Sequence, residues 1–319
     1  MRVIPYHKDF KQLWDQWIDH SKNGTFLLKR EFMDYHAERF CDASLLFFKD
    51  KQIIGILPAN VVKEEGTVTS HGGLTYGGLI MGKSATGTMV LEMLTAAIDF
   101  YRSELGLRHL RYKPTPYIYH RYPAEEDIYA LFRLKASLFS RSLSSCIQLD
   151  TPLHLSSLRC RGIKKAEKAG LKVTEVEATN TNIDSFWTIL SEVLSLRHGT
   201  RPVHRIDEIR KLATNFPNEI KFFLVKEGEN VVGGCVTFEC NQVAHIQYIA
   251  ASDIGRTTGA LDLLFSKLIT HFTEDGFLYL DFGISTEQGG AKLNEGLLHQ
   301  KEGFGGRGIC YDCYKIDFE

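Results

Sequence analysis

The sequence predicts an α/β protein with a mixed sheet, built from two copies of one kind of domain. Amphipathic helices alternate with short apolar strands along the whole chain, the pattern of an α/β or α+β protein rather than of a bundle or sandwich. The order β-hairpin, strand, helix, strand occurs twice, with Gly233 of the second hairpin 178 residues after Gly55 of the first. A length of 319 residues also exceeds what one core usually organises, which favours two domains.

In chain order, Phe10, Leu13, Trp14, Trp17 and Ile18 fall at helical spacing and give an opening amphipathic helix whose tryptophans belong to the core. Residues 43–62 read as two apolar runs around a polar turn, a β-hairpin. The glycine-rich stretch His71-Gly-Gly-Leu-Thr-Tyr-Gly-Gly-Leu79 precedes a helix over 86–104 and a strand over 108–112. Pro114, Pro116 and Pro123 bound a stiff loop, since proline fixes its own φ and disfavours helix before it. A helix over 125–135 and a strand running to Leu149 complete the first half. The turn-forming Asp150-Thr-Pro152 marks the expected boundary, giving domains 1–152 and 153–319. The second half repeats the plan: a basic helix stopped by Gly170, a hairpin over 220–238, and a strand over 244–250. A helix with Leu261, Leu264, Phe265, Leu268 and Phe272 on one stripe follows, then a strand over 277–282.

Composition narrows the function classes. Hydrophobic residues at 44% and charged residues at 24% fit a folded chain and exclude a disordered or collagen-like one. Lys plus Arg number 38 against 39 Asp plus Glu, a net charge of −1, so no global field draws the chain to a polyanion and any such site is local. The N-terminus carries no apolar stretch of signal-peptide or spanning length, and seven scattered cysteines fit reduced thiols, so the expected location is cytoplasmic. Cys310 and Cys313 sit three apart in a strand-like run and face opposite sides, which argues against a shared metal; no metal site is expected.

Two stretches carry a more specific signal. From Arg159 to Lys172 six cations stand against one acid, Glu167, on the basic helix. Near the C-terminus, Leu280-Asp-Phe-Gly-Ile-Ser-Thr-Glu287 is followed by Leu293-Asn-Glu-Gly-Leu-Leu-His-Gln-Lys-Glu-Gly-Phe-Gly305. In both, the chain resembles the FemABX family, peptidoglycan aminoacyltransferases built from tandem GNAT-type acyltransferase domains. Lys301, Phe304 and Gly305 match the family's motif, whereas Gln300 stands where the family has an aromatic. The long helical-hairpin insertion of some members is absent.

The resemblance implies two tandem GNAT-like domains and places Lys301 at the active site, stabilising negative charge as the acyl bond is attacked. It implies a substrate-binding role for Tyr76, in a Tyr-Gly-Gly segment like that beside the family's acceptor site. Asp281 and Glu287 flank the loop after the last central strand, where open α/β sheets place ligands, and are candidates for the general base or an ammonium-holding carboxylate. Asn294 opens the helix before Lys301, as a substrate contact or as its cap. Arg197, Arg201 and His204 lie on a Gly/Pro loop rich in anion donors and are candidates for a substrate phosphate or carboxylate. His245, His204 and Asp281 show no spacing that would assemble a triad or metal site. Acetyl-CoA enzymes of the GNAT type carry Gln or Arg, two residues, Gly, one residue, then Gly or Ala. Here Arg256 and Gly259 fit as cofactor-binding residues and Leu261 does not, so close backbone approach to phosphate is impeded.

The expected function is transfer of an acyl or aminoacyl group onto an amine acceptor, small or lipid-linked, such as a cell-envelope precursor. No tightly bound cofactor is expected; the co-substrate is acyl-CoA or aminoacyl-tRNA, the latter through the local basic patch. The alternatives are an acyl-CoA-dependent N-acetyltransferase acting on a sugar or other small amine, and a catalytically inactive binding module for an envelope precursor or nucleotide-sugar.

Overall fold

A computed structural model describes residues 1–318 and every side chain among them except that of His198. The chain divides into two compact units. Unit 1 comprises Met1–Leu143, Thr286–Lys292 and the final strand from Cys310; unit 2 comprises Ser144–Ser285 and Leu293–Ile309. The division thus falls at 143/144 instead of 152/153, and the last strand returns to unit 1. The turn at Asp150-Thr-Pro152 marks a change of direction, but strand pairing decides compactness, and residues 144–148 already ladder with a unit 2 strand.

Unit 1 contains β1 (Arg2–Pro5), α1 (Lys11–His20), α2 (Arg30–Met33), β2 (Cys41–Asp42), β3 (Leu45–Lys49), β4 (Gln52–Leu57), β5 (Asn60–Val62), β6 (Thr67–Thr69), β7 (Ile80–Met81), α3 (Gly87–Ser103), β8 (His109–Tyr112) and α4 (Glu126–Arg133). The strand β9 (Ser137–Gln148) begins there and ends in unit 2. Strands β1, β3, β4 and β7 pair antiparallel, and β6 pairs parallel with β8. Helix α3 buries Val90, Met93, Leu94, Ala97 and Tyr101, one face at helical spacing, against Leu45, Phe47, Leu57 and Leu110. Trp14 is buried on α1, and the Trp17 indole donates to the Ile80 carbonyl at 3.0 Å.

Unit 2 follows with α5 (Ser157–Lys168), β10 (Lys172–Val176), α6 (Asn180–His198), α7 (Ile206–Asn215), β11 (Ile220–Glu227), β12 (Asn230–Cys240), β13 (Val243–Ala251), α8 (Asp253–Thr258), α9 (Ala260–Glu274) and β14 (Tyr279–Ile284). After the short pair β15 (Thr286–Glu287) and β16 (Lys292–Leu293) come α10 (Glu295–Glu302) and β17 (Arg307–Asp317), the latter pairing antiparallel with β8 of unit 1. The strand order β10-β11-β12-β13-β14-β9 is antiparallel except for β13–β14. Ala166 of α5 and Leu264, Phe265, Leu268 and Phe272 of α9 pack on the apolar side chains of this sheet.

The repeated order seen in the sequence is present in both units, and the glycine that marks it has the same setting. Gly55 pairs with Met81 of β7, and Gly233 pairs with Ala251 of β13. A Cβ on Gly55 would lie 2.6 Å from the Met93 sulfur, and one on Gly233 would lie 3.0 Å from the Ala250 carbonyl oxygen. Among the described residues no helix is long and apolar enough to cross a membrane, and no group of three or more His, Cys, Asp or Glu is placed to hold a metal ion.

Candidate active site

The parallel strands β13 and β14 are in register only over Val243–His245 and Tyr279–Asp281. Two irregularities part them. On β13 the ladder to β12 jumps from Val236↔Tyr248 to Thr237↔Ile246, which leaves Gln247 as an extra residue and bends the strand. On β14 the ladder to β9 slips between Asp281 and Ile284, and Gly283 takes φ +75°, a left-handed conformation that glycine adopts without penalty. Asp281 and His245 lie at the last paired register, where the strands part.

Asp281 is fully buried. One carboxylate oxygen accepts from the Ser144 hydroxyl at 2.5 Å and from the Gly283 amide at 3.2 Å; the other lies 2.8 Å from His245 Nδ1. The carboxylate accepts a hydrogen bond from Nδ1–H, which leaves Nε2 as the outward nitrogen of a ring held in one orientation. The His245 side chain is 13% exposed, so it is partly open to a reactant where Asp281 is not.

Lys301 approaches the same end of β14 from α10. Its ammonium donates to the Gly283 carbonyl at 2.7 Å and to the Ile284 carbonyl at 2.8 Å, both in the irregular stretch of β14. Burial pushes Lys301 down to about 8, against the opposing pull of the Asp281 carboxylate. At neutral pH it therefore remains a cation, in a setting of low polarisability where charge acts strongly.

A groove of about 580 Å³ lies further along β13, walled by Ile249–Ala251 of that strand, by α8 and the start of α9, and by Leu297 and Gln300 of α10, the latter next in sequence to Lys301. Arg159, Arg197 and Arg256 line it, together with one carboxylate, Asp262. Arg159 pairs with Asp262 at 2.7 Å and lies 5.1 Å over the Phe304 ring; Arg197 pairs with Asp253 at 2.7 Å. Arg256 is exposed and has no ion pair among the described residues.

The structure redistributes the residues expected from sequence. Lys301 and Asp281 share one site, and His245, to which spacing gave no role, joins them; the parallel register alone brings residues 245 and 281 side by side. The Asp281 carboxylate is wholly enclosed, and His245 is the partly exposed side chain in contact with it. Gly259 lines the groove too; its left-handed φ of +84° and a Cβ that would lie 2.5 Å from the Gly162 carbonyl oxygen of α5 both require glycine there. Arg256 remains on the groove wall.

Asn294 caps α10, accepting from the Leu297 amide at 3.0 Å. Glu287, in unit 1, pairs with Lys292 at 2.7 Å. Tyr76, also in unit 1, is buried; its hydroxyl donates to Thr25 at 3.1 Å and its ring stacks 4.7 Å from Tyr119, so it packs and does not present a hydroxyl to solvent. The loop after α6 does not form one anion site. Arg197 faces the groove described above, whereas Arg201 and His204 together line a separate 540 Å³ cavity with Trp187 and Ile206, buried His204 lying 2.5 Å from the Tyr248 hydroxyl.

Residues 158–290 match the GNAT acetyltransferase domain family. No curated protein matches the sequence. Solved structures resemble the whole chain at low identity. FemX is 11% identical, with a TM-score of 0.68 over 99% of this chain and 97% of its own. L-PGS from Bacillus licheniformis is 11% identical, with a TM-score of 0.64 over 97% of this chain and 91% of its own. A tandem GNAT protein from the clavulanic acid biosynthesis pathway is 9% identical, with a TM-score of 0.51 over 100% and 98%. Residues 158–290 are thus similar to a GNAT acetyltransferase domain, and the chain as a whole has the fold of FemX and of a tandem GNAT protein.

Proposed function

We propose that the chain is an N-acyltransferase that moves an acyl group from a thioester of the acyl-CoA class to the amine of a small or lipid-linked acceptor. The observation that carries this reading is the parting of β13 and β14 at His245 and Asp281, beside Lys301, with the arginine-lined groove further along β13. The pantetheine arm of such a donor bears amides along an extended chain and suits pairing with the β13 backbone beyond His245, as a peptide adds to a strand edge.

In the reaction the neutral amine nitrogen attacks the thioester carbonyl carbon, and His245 Nε2 takes the proton the nitrogen loses. Asp281 holds the imidazolium that results. The negative charge that develops on the carbonyl oxygen is met by Lys301, whose two contacts to main-chain carbonyls leave a third N–H. Collapse expels the thiolate, which His245 protonates, giving amide and thiol. The likeness in fold to FemX and L-PGS favours a second reading, an aminoacyl group passed to a lipid-linked acceptor.

The test is turnover with a panel of acyl-CoA thioesters and amine acceptors, thiol release being followed in parallel with aminoacyl-tRNA consumption. Thioester-dependent amide formation that falls at least about 100-fold in His245→Ala is expected. Full activity in that variant, or consumption of aminoacyl-tRNA alone, would reject the proposal.

A further inference from the structure

The cavity of about 540 Å³ that Arg201 and His204 share has a chemistry of its own. One wall is α6, which turns Trp187, Ser191, Glu192 and Ser195 toward it, positions that fall on one helix face. The other wall is the loop from Arg201 to Arg205, with Ile206, the first residue of α7. The floor is fixed by tertiary contacts. The Tyr248 hydroxyl accepts from the His204 main-chain amide at 3.1 Å and lies 2.5 Å from Nδ1 of the same residue, which ties the loop to β13. The His204 ring stands edge-on to Phe238 and Tyr248, with centroids 6.3 and 5.8 Å away, and Trp187 stands edge-on to Tyr248 at 5.1 Å. Burial pushes Tyr248 up to about 12, so its hydroxyl keeps its proton throughout the neutral range. The cavity is preformed and of a size that small-molecule sites have.

The charges on its walls select the ligand. Glu192 and Arg201 both line the cavity, and neither makes an ion pair among the described residues, with the other or with any neighbour. Arg205, the third charge there, is held by Asp207 at 3.1 Å and Glu208 at 3.6 Å. One carboxylate and one guanidinium therefore remain for a ligand. That balance suits a zwitterion and disfavours a phosphate, whose charge of about −1.5 to −2 would face Glu192. Thr188 spends its hydroxyl proton on the Asp184 carbonyl at 2.9 Å, whereas the Ser191 and Ser195 hydroxyls make no such bond among the described residues and are left for the ligand. Trp187, Pro202 and Ile206 supply the apolar part of the wall.

We infer that this cavity binds a free amino acid with an apolar side chain: Arg201 takes its carboxylate, Glu192 its ammonium, and Trp187, Pro202 and Ile206 its side chain. The forked donors of a guanidinium match the two oxygens of a carboxylate, and the serine hydroxyls complete the polar contacts. The site lies outside the arginine-lined groove, and the inference stands whether or not the thioester reading holds.

The test is titration of the full chain, by calorimetry and by tryptophan fluorescence, with four probes: L-leucine, L-leucinamide, which lacks the carboxylate, N-acetyl-L-leucine, which lacks the ammonium, and inorganic phosphate. Trp187 is the tryptophan of unit 2, Trp14 and Trp17 belonging to unit 1, so a signal that Trp187→Phe removes places the ligand in this cavity. L-leucine is expected to saturate that signal and to bind at least about tenfold more tightly than either analogue or phosphate. Arg201→Gln should abolish the preference over L-leucinamide, and Glu192→Gln the preference over N-acetyl-L-leucine. Both side chains are exposed, so an unchanged melting temperature is expected in each variant. Absence of saturation by L-leucine up to about 10 mM overturns the inference. Phosphate bound as tightly as L-leucine, binding that leaves Trp187 fluorescence unmoved, or preferences that both substitutions leave intact overturn it as well.

Discussion

Replacing Lys301 by Met separates its catalytic charge from its structural place, because Met keeps the apolar stem and removes the ammonium. The folded protein releases this proton near pH 8 and the unfolded chain near 10.5. Between those values the unfolded state holds more protons, so the stability of the wild type rises with pH across that window and the gain is absent below pH 8. At about 1.4 kcal/mol per pH unit the rise amounts to about 3 kcal/mol, an upper figure because the two carbonyl contacts favour the ammonium. At pH 7 the variant escapes the cost of burying a charge and loses two charge-assisted hydrogen bonds, each of about 1.5–3 kcal/mol, so the net change is small. Urea unfolding from pH 7 to 10.5 is the assay: the wild-type and Lys301→Met stabilities should diverge above pH 8 in favour of the wild type. Turnover at pH 7 should fall at least about 100-fold, with a melting temperature within a few degrees of wild type. Parallel stability curves would refute the buried ammonium, and full turnover would refute its role.

Asp281→Asn should lower kcat about 100-fold or more with little change in KM, because an amide does not hold the Nδ1 proton of His245 as a carboxylate does; steady-state kinetics checks this. Gly259→Ala should destabilise unit 2 by at least about 2 kcal/mol in urea unfolding, from a left-handed φ and contact with Gly162. Gly199→Ala, left-handed at φ +60° in open space, should cost about 1 kcal/mol and serves as the comparison. In unit 1, burial, reinforced by His36, pushes His71 down to about 3. Its contribution is present above pH 6.5 and lost as pH falls from 6.5 to 3, about 5 kcal/mol in all. His71→Asn, which tolerates the position's φ of +54°, should flatten the acid limb of the stability curve by that amount.

Where local pattern and tertiary packing agree, the elements are legible in the chain. Helix α3 follows from an apolar stripe with Thr86 as its cap, and β3–β4 from two apolar runs around a polar turn. Resemblance alone singled out Lys301, since a lysine near a helix end reads by itself as a surface residue. Its burial against Gly283 and Ile284 depends on a bulge in another element.

By itself, then, the sequence determined the α/β class and the repeated hairpin, strand, helix and strand order, because these depend on side-chain periodicity along one segment. Tertiary structure decided the rest. It moved the boundary to 143/144, packed Gly259 against α5, enclosed Tyr76, and joined His245 to Asp281, 36 positions further along the chain. Each of these depends on what a strand or helix meets from a distant part of the chain, and strand register is set by global pairing, which no local pattern of residues encodes.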